Sequence, residues 1–434
     1  MIAALALLVP AYGQEIPFEQ YKLDNGLTVV FHVDKSLPQV VVNTWYKVGS
    51  GDEVAHRSGF AHLFEHLMFM GTDRLPGNGI DVTMETNGGW NNAFTFEDGT
   101  NYYDVGPSNL VGTFLWIEAD RMQALGVSMT QEKLDLQREV VRNERRQNYE
   151  DRPYGRIEHA YPAMLFPAGH PYDHSAIGSH EDLVAASVGD VKDFFATWYV
   201  PNNAILVVAG DFDPAAVKAT IASYFGGIPS RALPARVLPP APTVPVELAR
   251  EVPDHVDVPQ LDLYWHSAAA LSDDDARLAL VADLLGAGES SRLYQKLVVT
   301  GKAQDLTVLQ YGLGRAGFFQ IQATAMEGVS VDELRGIIDA ELASLAEQGP
   351  TEAEMERLRN QKEFGTLAGL QALQDRALTL AQYAAYTGDP GWLAKDLARF
   401  RAAKAADLQA VTKKYLTGGT PAKIVVVPEA SEAK

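Results

Sequence analysis

The chain has 434 residues, more than one ordinary core needs, which predicts two domains of about 200 residues each. Hydrophobic residues make up 47% of it and charged residues 21%, as in globular proteins. A formal net charge of −20 argues against a nucleic-acid partner, because binding a polyanion requires a basic face. The absence of cysteine excludes disulfides, thiolate metal ligands and a cysteine nucleophile.

Residues 1–14 resemble the end of a secretory signal. Residues 2–9 are apolar, and Ala11-Tyr12-Gly13 has the small-x-small pattern of a cleavage site, although the basic first part of a signal is missing. The alternative is a frayed apolar terminus. No other stretch reaches the ~18 apolar residues of a membrane span. We therefore expect a periplasmic or secreted protein without a membrane span.

Residues 15–225 predict a first domain of mixed strands and helices. Alternation of apolar residues predicts strands, and apolar residues three or four apart predict helices. The predicted elements are, in chain order, strands at 27–33 and 40–48, a helix near 58–70, a helix at 191–199 and a strand at 204–209.

The predicted helix near 58–70 carries a candidate metal site. His62 and His66 are four residues apart, so they share one helix face with Cβ atoms ~5–6 Å apart and can bind one ion. A catalytic zinc site uses three protein ligands and leaves a fourth position for water. Glu65 can reach that water and accept its proton. The alternative is two packed or solvated histidines, and the nearby glutamate favours the metal.

A third ligand is expected from an acidic helix predicted at 131–148. This segment offers Glu132, Glu139 and Glu144, and spacing alone does not choose among them. A set of two histidines and one glutamate favours zinc over other divalent ions.

Residues 226–247 predict a semi-rigid, extended linker, since proline is frequent there and long apolar runs are few. The prolines are Pro229, Pro234, Pro239, Pro240, Pro242 and Pro245.

Residues 248–434 predict a second domain built like the first, with a strand at 260–266, helices at 273–287 and 408–415 and a strand at 422–427. Strands and helices come in mixed order, which favours the α+β class. We expect two homologous domains that face each other, each a mostly antiparallel sheet packed with helices. The second domain has no His-x-x-Glu-His, so each chain holds one zinc ion at most.

Several motifs resemble the pitrilysin, insulin-degrading enzyme and mitochondrial processing peptidase family, whose inverted zinc motif is His-x-x-Glu-His. The resemblance covers nearly the whole chain. Besides the zinc helix, the matching stretches are Asn92-Ala93-Phe94-Thr95 with Thr100-Asn101-Tyr102-Tyr103, Gln137-Arg138-Glu139-Val140-Val141-Arg142-Asn143-Glu144, and His170-Pro171-Tyr172 with Ile177-Gly178.

The resemblance implies that Glu144 is the third zinc ligand. Relatives usually carry another glutamate seven residues earlier, which supports the zinc ligands from behind. Gln137 occupies that position here, and Glu139 could substitute for it.

The resemblance also implies that Asn92, Ala93 and Phe94 belong to an edge strand to which the peptide substrate adds as another β-strand. Phe94 would line an apolar pocket near the scissile bond. The alternative is an ordinary half-buried strand. The loop at His170-Pro171-Tyr172 is interpreted as structural rather than catalytic.

Active relatives often use an arginine and a tyrosine seven residues apart in the second half. Here those positions fall at about Val298 and Asp305, which cannot donate hydrogen bonds to an oxyanion. Arg292 and Tyr294 are interpreted as helix residues that pack the domain. We therefore expect a paralogous partner chain to supply the pair in a heterodimer, with a homodimer as the second choice.

The sequence thus predicts a zinc metalloendopeptidase that cleaves extended peptides or unfolded segments. One alternative is a non-catalytic scaffold or assembly subunit of the same fold, and another is a metal hydrolase that acts on something other than peptides. Relatives that lose activity usually lose motif residues, whereas His62, Glu65, His66 and Glu144 are all present.

Overall fold

The computed structural model describes residues 15–236 and 248–429. The predicted signal segment, 1–14, lies outside the described residues. So does most of the predicted linker, 237–247. The linker residues that are described continue from the last helix of the first half, and Arg236 donates two hydrogen bonds to Asp52, each 2.9 Å long.

The first half contains a sheet and the helices that surround it. Its elements are β1 (Glu19–Lys22), β2 (Thr28–Val33), β3 (Gln39–Tyr46), α1 (Phe60–Leu67), α2 (Gly79–Thr86), β4 (Trp90–Phe96), β5 (Gly99–Pro107), α3 (Val111–Ala124), α4 (Gln131–Arg145), α5 (Tyr161–Leu165), α6 (His180–Ala185), α7 (Val188–Trp198), β6 (Ala204–Gly210) and α8 (Pro214–Phe225).

The second half contains a second sheet and more helices. Its elements are β7 (Leu248–Asp254), β8 (Gln260–Ser267), α9 (Asp273–Gly286), α10 (Arg292–Leu297), β9 (Ala303–Gly312), β10 (Gly317–Ala325), α11 (Val331–Gln348), α12 (Glu352–Gly369), α13 (Leu373–Thr387), α14 (Leu393–Ala402), α15 (Ala405–Val411) and β11 (Ala422–Pro428).

The two sheets have the same topology. The first has the order β1-β2-β6-β3-β5-β4, and the second has the order β7-β11-β8-β10-β9. Among the described strands, β2 with β6 and β7 with β11 pair in parallel, and the other neighbours are antiparallel. The predicted α+β class with two similar, mostly antiparallel sheets is confirmed, and β1 is an addition to the first sheet.

Strand β6 lies at the centre of the first sheet, and all seven of its residues are buried. Its sequence, Ala-Ile-Leu-Val-Val-Ala-Gly, is apolar throughout, which is typical of a strand covered on both faces. One face, with Leu206 and Val208, packs with Phe64 of α1 in the core of the first half.

The other face of the first sheet is covered by a helix from the second half. Val41 and Trp45 of β3 share an apolar cluster with Leu380 and Ala381 of α13. The first half in turn covers a face of the second sheet. Phe166 packs in one cluster with strand residues of that sheet, among them Tyr264, Phe318 and Ile424. The packing therefore crosses the boundary predicted at the linker.

Two equivalent hairpin turns, β4–β5 and β9–β10, also join the halves. Asp98, between β4 and β5, accepts hydrogen bonds from the Gly314 N–H at 2.7 Å and from the Tyr172 hydroxyl at 2.6 Å. Arg315, in the same turn as Gly314, donates to Asp52 at 2.7 Å. The second half thus holds one end of β4, and the loop that carries Tyr172 has a structural role.

Within residues 15–236 and 248–429, no helix combines the length and the apolar character that crossing a membrane requires.

The packing of α13 predicts that Leu380→Ala destabilises the protein by about 2–5 kcal/mol, because it leaves a cavity beneath the first sheet. Leu380 is fully buried. Urea unfolding followed by tryptophan fluorescence measures the change. The control is Phe364→Ala on α12, whose residue is 75% exposed and should change stability by less than about 0.5 kcal/mol. Equal unfolding midpoints for the two variants would contradict the predicted role of α13.

Candidate metal centre and active site

Helix α1 presents its histidines because its other side is apolar. Gly59 precedes the helix at φ 86°, in the left-handed region, and a Cβ there would lie 2.7 Å from the Ile177 carbonyl oxygen. Glycine is therefore needed at this position. The buried residues of the helix are Phe60, Ala61, Leu63, Phe64 and Leu67. Their burial turns His62 and His66 toward the neighbouring helix, α4.

Helix α4 is positioned by a cap and by two buried residues. The Thr130 side chain accepts a hydrogen bond from the Lys133 N–H, and Leu134 and Val141 are buried. Glu144 follows Val141 by three residues, so it lies beside the buried face that packs toward α1.

The side chains of His62, His66 and Glu144 converge. The ring centres of the histidines are 4.8 Å apart. Glu144 Oε2 lies 3.1 Å from His66 Nε2 and 3.8 Å from His62 Nε2. Zinc bonds of 2.0–2.1 Å in a tetrahedron would separate ligand atoms by about 3.3 Å. The three residues therefore fit a zinc ion, and they are the one such group of acidic residues and histidines found within the described ranges.

The charges at this cluster suit a metal. Burial, followed by the nearby His66, lowers the pKa of His62 to about 4, so this imidazole is neutral at pH 7. A hydrogen bond from His66 lowers the pKa of Glu144, whose carboxyl is therefore ionised. Neutral imidazoles and an ionised carboxylate are the states that bind zinc.

Glu65 lies beside the cluster, and its carboxylate accepts a hydrogen bond from a neighbouring strand. The Thr95 hydroxyl donates to Glu65 Oε2 at 2.6 Å. Burial raises the pKa of Glu65, and the bond from Thr95 opposes that rise. Thr95 was not among the predicted site residues. The signal that could have found it was strand alternation, since Thr95 must share a face with Ala93, which packs against the core of the first half.

The residues predicted to support the zinc ligands have other partners. Gln137 Nε2 contacts the Met70 sulfur at 2.7 Å. Glu139 accepts a hydrogen bond from Arg142, and its side chain is 56% exposed. Glu139 is five residues from Glu144, which turns it toward solvent, so it does not contact the proposed zinc ligands in this geometry. Neither side chain bonds to His62, and His62 Nδ1 is buried without a hydrogen-bond partner among the described residues.

The predicted substrate strand, β4, is an edge strand beside α1. In the described sheet, its one neighbour is β5. Asn92 is exposed at this edge, and its side chain accepts from the Ala93 N–H at 2.8 Å. Phe94 faces the opposite side from Thr95, with its ring centre 6.2 Å from that of Trp45. The ring is thus turned away from Glu65, contrary to the predicted pocket near the scissile bond, because neighbouring strand residues point to opposite faces.

The second half has no arginine and tyrosine at the expected positions. Val298 directly follows the last residue of α10, and Asp305 is exposed on β9. Arg292 donates to Glu354 at 2.7 Å and to Glu341 at 3.1 Å, which agrees with a packing role.

The geometry of the cluster predicts that Glu144→Gln weakens zinc binding by more than the ~10–100-fold typical of outer-shell changes, because a charged ligand is lost. Competition with a chromophoric chelator measures the dissociation constant. Glu139→Gln is the matched control, since it makes the same change on the solvent side of α4 and should leave the constant unchanged. Equal constants for the two variants would exclude Glu144 as a ligand.

Comparison with known proteins identifies the family of the chain. Residues 28–167 match the family model "Insulinase (Peptidase family M16)", and residues 185–362 match "Peptidase M16 inactive domain". The chain is 27% identical to the zinc protease PqqE of Helicobacter pylori over 92% of this chain and 90% of that protein. It is 25% identical to mitochondrial-processing peptidase subunit beta of Blastocladiella emersonii, over 80% of this chain and 75% of that protein.

Among solved structures, the chain is similar to the crystal structure of a protease from Helicobacter pylori. The TM-score is 0.87 at 26% identity, and the match covers 95% of this chain and 100% of the other. The two family models match residues in both halves of the chain, and the structural match covers nearly all of it. The chain therefore belongs to peptidase family M16, the pitrilysin family.

Proposed function

We propose that this protein is a zinc metalloendopeptidase that hydrolyses peptide bonds in extended peptides or unfolded segments. The observation that carries the proposal is the convergence of His62, His66 and Glu144 with Glu65 beside them. The similarity to a protein named as a zinc protease supports it.

The residues of the cluster have separate parts in the proposed reaction. His62, His66 and Glu144 would hold one zinc ion, which when bound supplies Lewis-acid chemistry to a scissile carbonyl and acidifies water. Glu65 would take the proton of the attacking water and pass it to the leaving amine. Thr95 binds one oxygen of Glu65, Oε2, and so orients the other toward the reacting groups.

The substrate would bind along β4. An extended peptide can add to the free edge of this strand through main-chain hydrogen bonds, while its alternate side chains enter pockets. Asn92, Ala93 and Phe94 would supply the backbone of that edge. Thr95, next in the strand, touches Glu65 and so brings the added peptide close to the proposed base.

A partner chain would complete the site. Val298 and Asp305 offer no donors for an oxyanion, so a paralogous chain would supply the arginine and the tyrosine in a heterodimer, with a homodimer as the second choice. The match to a protein named as a peptidase subunit supports a two-chain enzyme.

We place the protein in the periplasm or outside the cell, on the signal-like pattern of residues 1–14. The rival function is a scaffold or assembly subunit of the same fold. The intact cluster favours the peptidase, because a scaffold has no need of ligands and a base in one place.

Glu65→Gln is expected to lower the turnover of an unstructured peptide by at least about 10²–10⁴-fold, since the proton acceptor is lost. The zinc content, measured by elemental analysis, should stay at one ion per chain. Glu85→Gln, on an exposed site of α2, is the control and should keep full turnover. A wild-type protein that holds no metal and cleaves nothing, alone or with its partner, would favour the scaffold.

The division of labour between chains predicts that adding a paralogous chain raises the peptidase rate of this protein. The partner's Arg and Tyr would bind the substrate and its tetrahedral intermediate. Turnover measured with and without the partner tests this expectation. A full rate from the purified chain alone, with no gain from the partner, would exclude it.

A further inference from the structure

The start of the metal-binding helix α1 is held by a fully buried carboxylate. Glu53 has no exposed side-chain surface. Its Oε1 accepts the Ala61 N–H at 2.7 Å, and its Oε2 accepts the Gly59 N–H at 2.9 Å. The first N–H groups of a helix lack partners inside the helix, and a negative charge at that end is favourable. Glu53 therefore fixes the backbone directly before His62.

A histidine from a distant loop supplies the counter-charge. His174 Nε2 lies 2.9 Å from Glu53 Oε2, and its Nδ1 lies 2.9 Å from Asp173 Oδ1. Because both ring nitrogens face carboxylates, both carry protons and the ring is an imidazolium. The charged groups that act on this ring are Glu53, from the segment before α1, and Asp173, from its own loop.

The pKa of the ring agrees with this geometry. Burial lowers the pKa of His174, but the hydrogen bonds and charges of Glu53 and Asp173 outweigh burial and raise it to about 9. Burial raises the pKa of Glu53, and the bonds from His174, Ala61 and Gly59 oppose that rise. At neutral pH we take the pair as an ion pair, since three donors converge on one carboxylate.

The loop that carries His174 is itself fixed. Asp173 Oδ2 accepts the Gly169 N–H at 2.6 Å. The neighbouring Tyr172 donates to Asp98, which also accepts the Gly314 N–H of the second half. Hydrogen bonds, together with the covalent chain from Tyr172 to His174, therefore link the second half through this loop to the start of α1.

We propose that His174 is a positioning residue of the metal centre: its imidazolium clamps Glu53 onto the first turn of α1 and so sets the place of His62 and His66 relative to Glu144. The inference rests on the proposed function, since it assigns a role at the same metal site. Bond lengths in a metal site tolerate only ~0.2 Å, so a small shift of α1 would weaken binding.

A purely structural ion pair would behave differently. The start of α1 has a second anchor, because Asp182 accepts hydrogen bonds from both the backbone N–H and the hydroxyl of Ser58. The helix should therefore stay folded without His174 and lose only its exact place. Loss of stability without loss of zinc affinity would mark a structural role.

The test measures zinc affinity at pH 7 for His174→Ala, by chelator competition on protein shown to be folded by circular dichroism. We expect a dissociation constant about 10–100-fold higher than that of the wild type, as for other groups that orient ligands. His174→Gln keeps a donor but loses the charge, so its dissociation constant should lie between those of the wild type and His174→Ala. This variant also allows the test if His174→Ala does not fold. His255→Ala is the control, since it breaks another His–Glu pair, with Glu429, in the second half.

A double-mutant cycle separates the clamp from independent effects. If His174 acts through Glu53, the pair Glu53→Gln and His174→Gln should raise the dissociation constant less than the product of the two single effects. At saturating zinc, His174→Ala should lower kcat with little change in KM, because the described hydrogen bonds of the ring go to Glu53 and Asp173 and not to β4.

Unchanged zinc affinity in His174→Ala and His174→Gln, or multiplicative effects in the cycle, would overturn the inference. A wild type that binds no zinc would instead overturn the proposed function. The two failures are therefore distinguishable.

The pH dependence of stability gives an independent prediction. The folded pKa of His174, about 9, lies above its ordinary value of about 6.5, so its stabilisation is complete below the ordinary value and is lost as pH rises through 9. The thermal midpoint of the zinc-free wild type should therefore fall between pH 7 and 9 more than that of His174→Ala. Parallel curves would contradict an imidazolium at this position.

Discussion

The candidate metal centre depends on how α1 is rotated about its own axis. Five of the eight residues in this helix are buried, and each large apolar side chain contributes about 1.5–3 kcal/mol when it leaves water. Rotating the helix would expose these residues, so their burial sets the direction in which His62 and His66 point. Glu144 can meet both rings only because α4 packs beside the helix in this orientation.

Three glutamates on or near α1 have different environments, and each environment suits a different role. Glu53 is fully buried and faces an imidazolium, so it anchors the helix. Glu65 accepts a hydrogen bond from a neutral hydroxyl, so one oxygen stays available for a proton. Glu144 lies between two imidazoles and its side chain is 34% exposed, which suits a metal ligand that substrate can approach. Environment, more than residue type, separates these functions.

The two halves share a topology but contribute differently. The first half carries the ligand cluster, while the second provides α13 against the outer face of the first sheet and the turn that holds Asp98. Because β4 ends at that turn, the second half acts on the proposed substrate strand but contributes no residue to the cluster of His62, His66 and Glu144. Each half also covers a sheet face of the other, so neither sheet is complete alone.

The sequence by itself determined whatever depends on near neighbours in the chain. The spacing of His62, Glu65 and His66 within one helical turn predicted the local site, and apolar patterns predicted five of the eleven described strands, namely β2, β3, β6, β8 and β11. Resemblance to a family was needed to select Glu144, since Glu132 and Glu139 have equal helical character. Only the tertiary structure decided which distant groups meet. Thr95 beside Glu65, α13 on the first sheet, Phe94 turned toward Trp45 and His174 on Glu53 all join residues far apart in the chain. A periodic pattern tells which residues share a face, but the neighbour of that face is set by packing between distant elements.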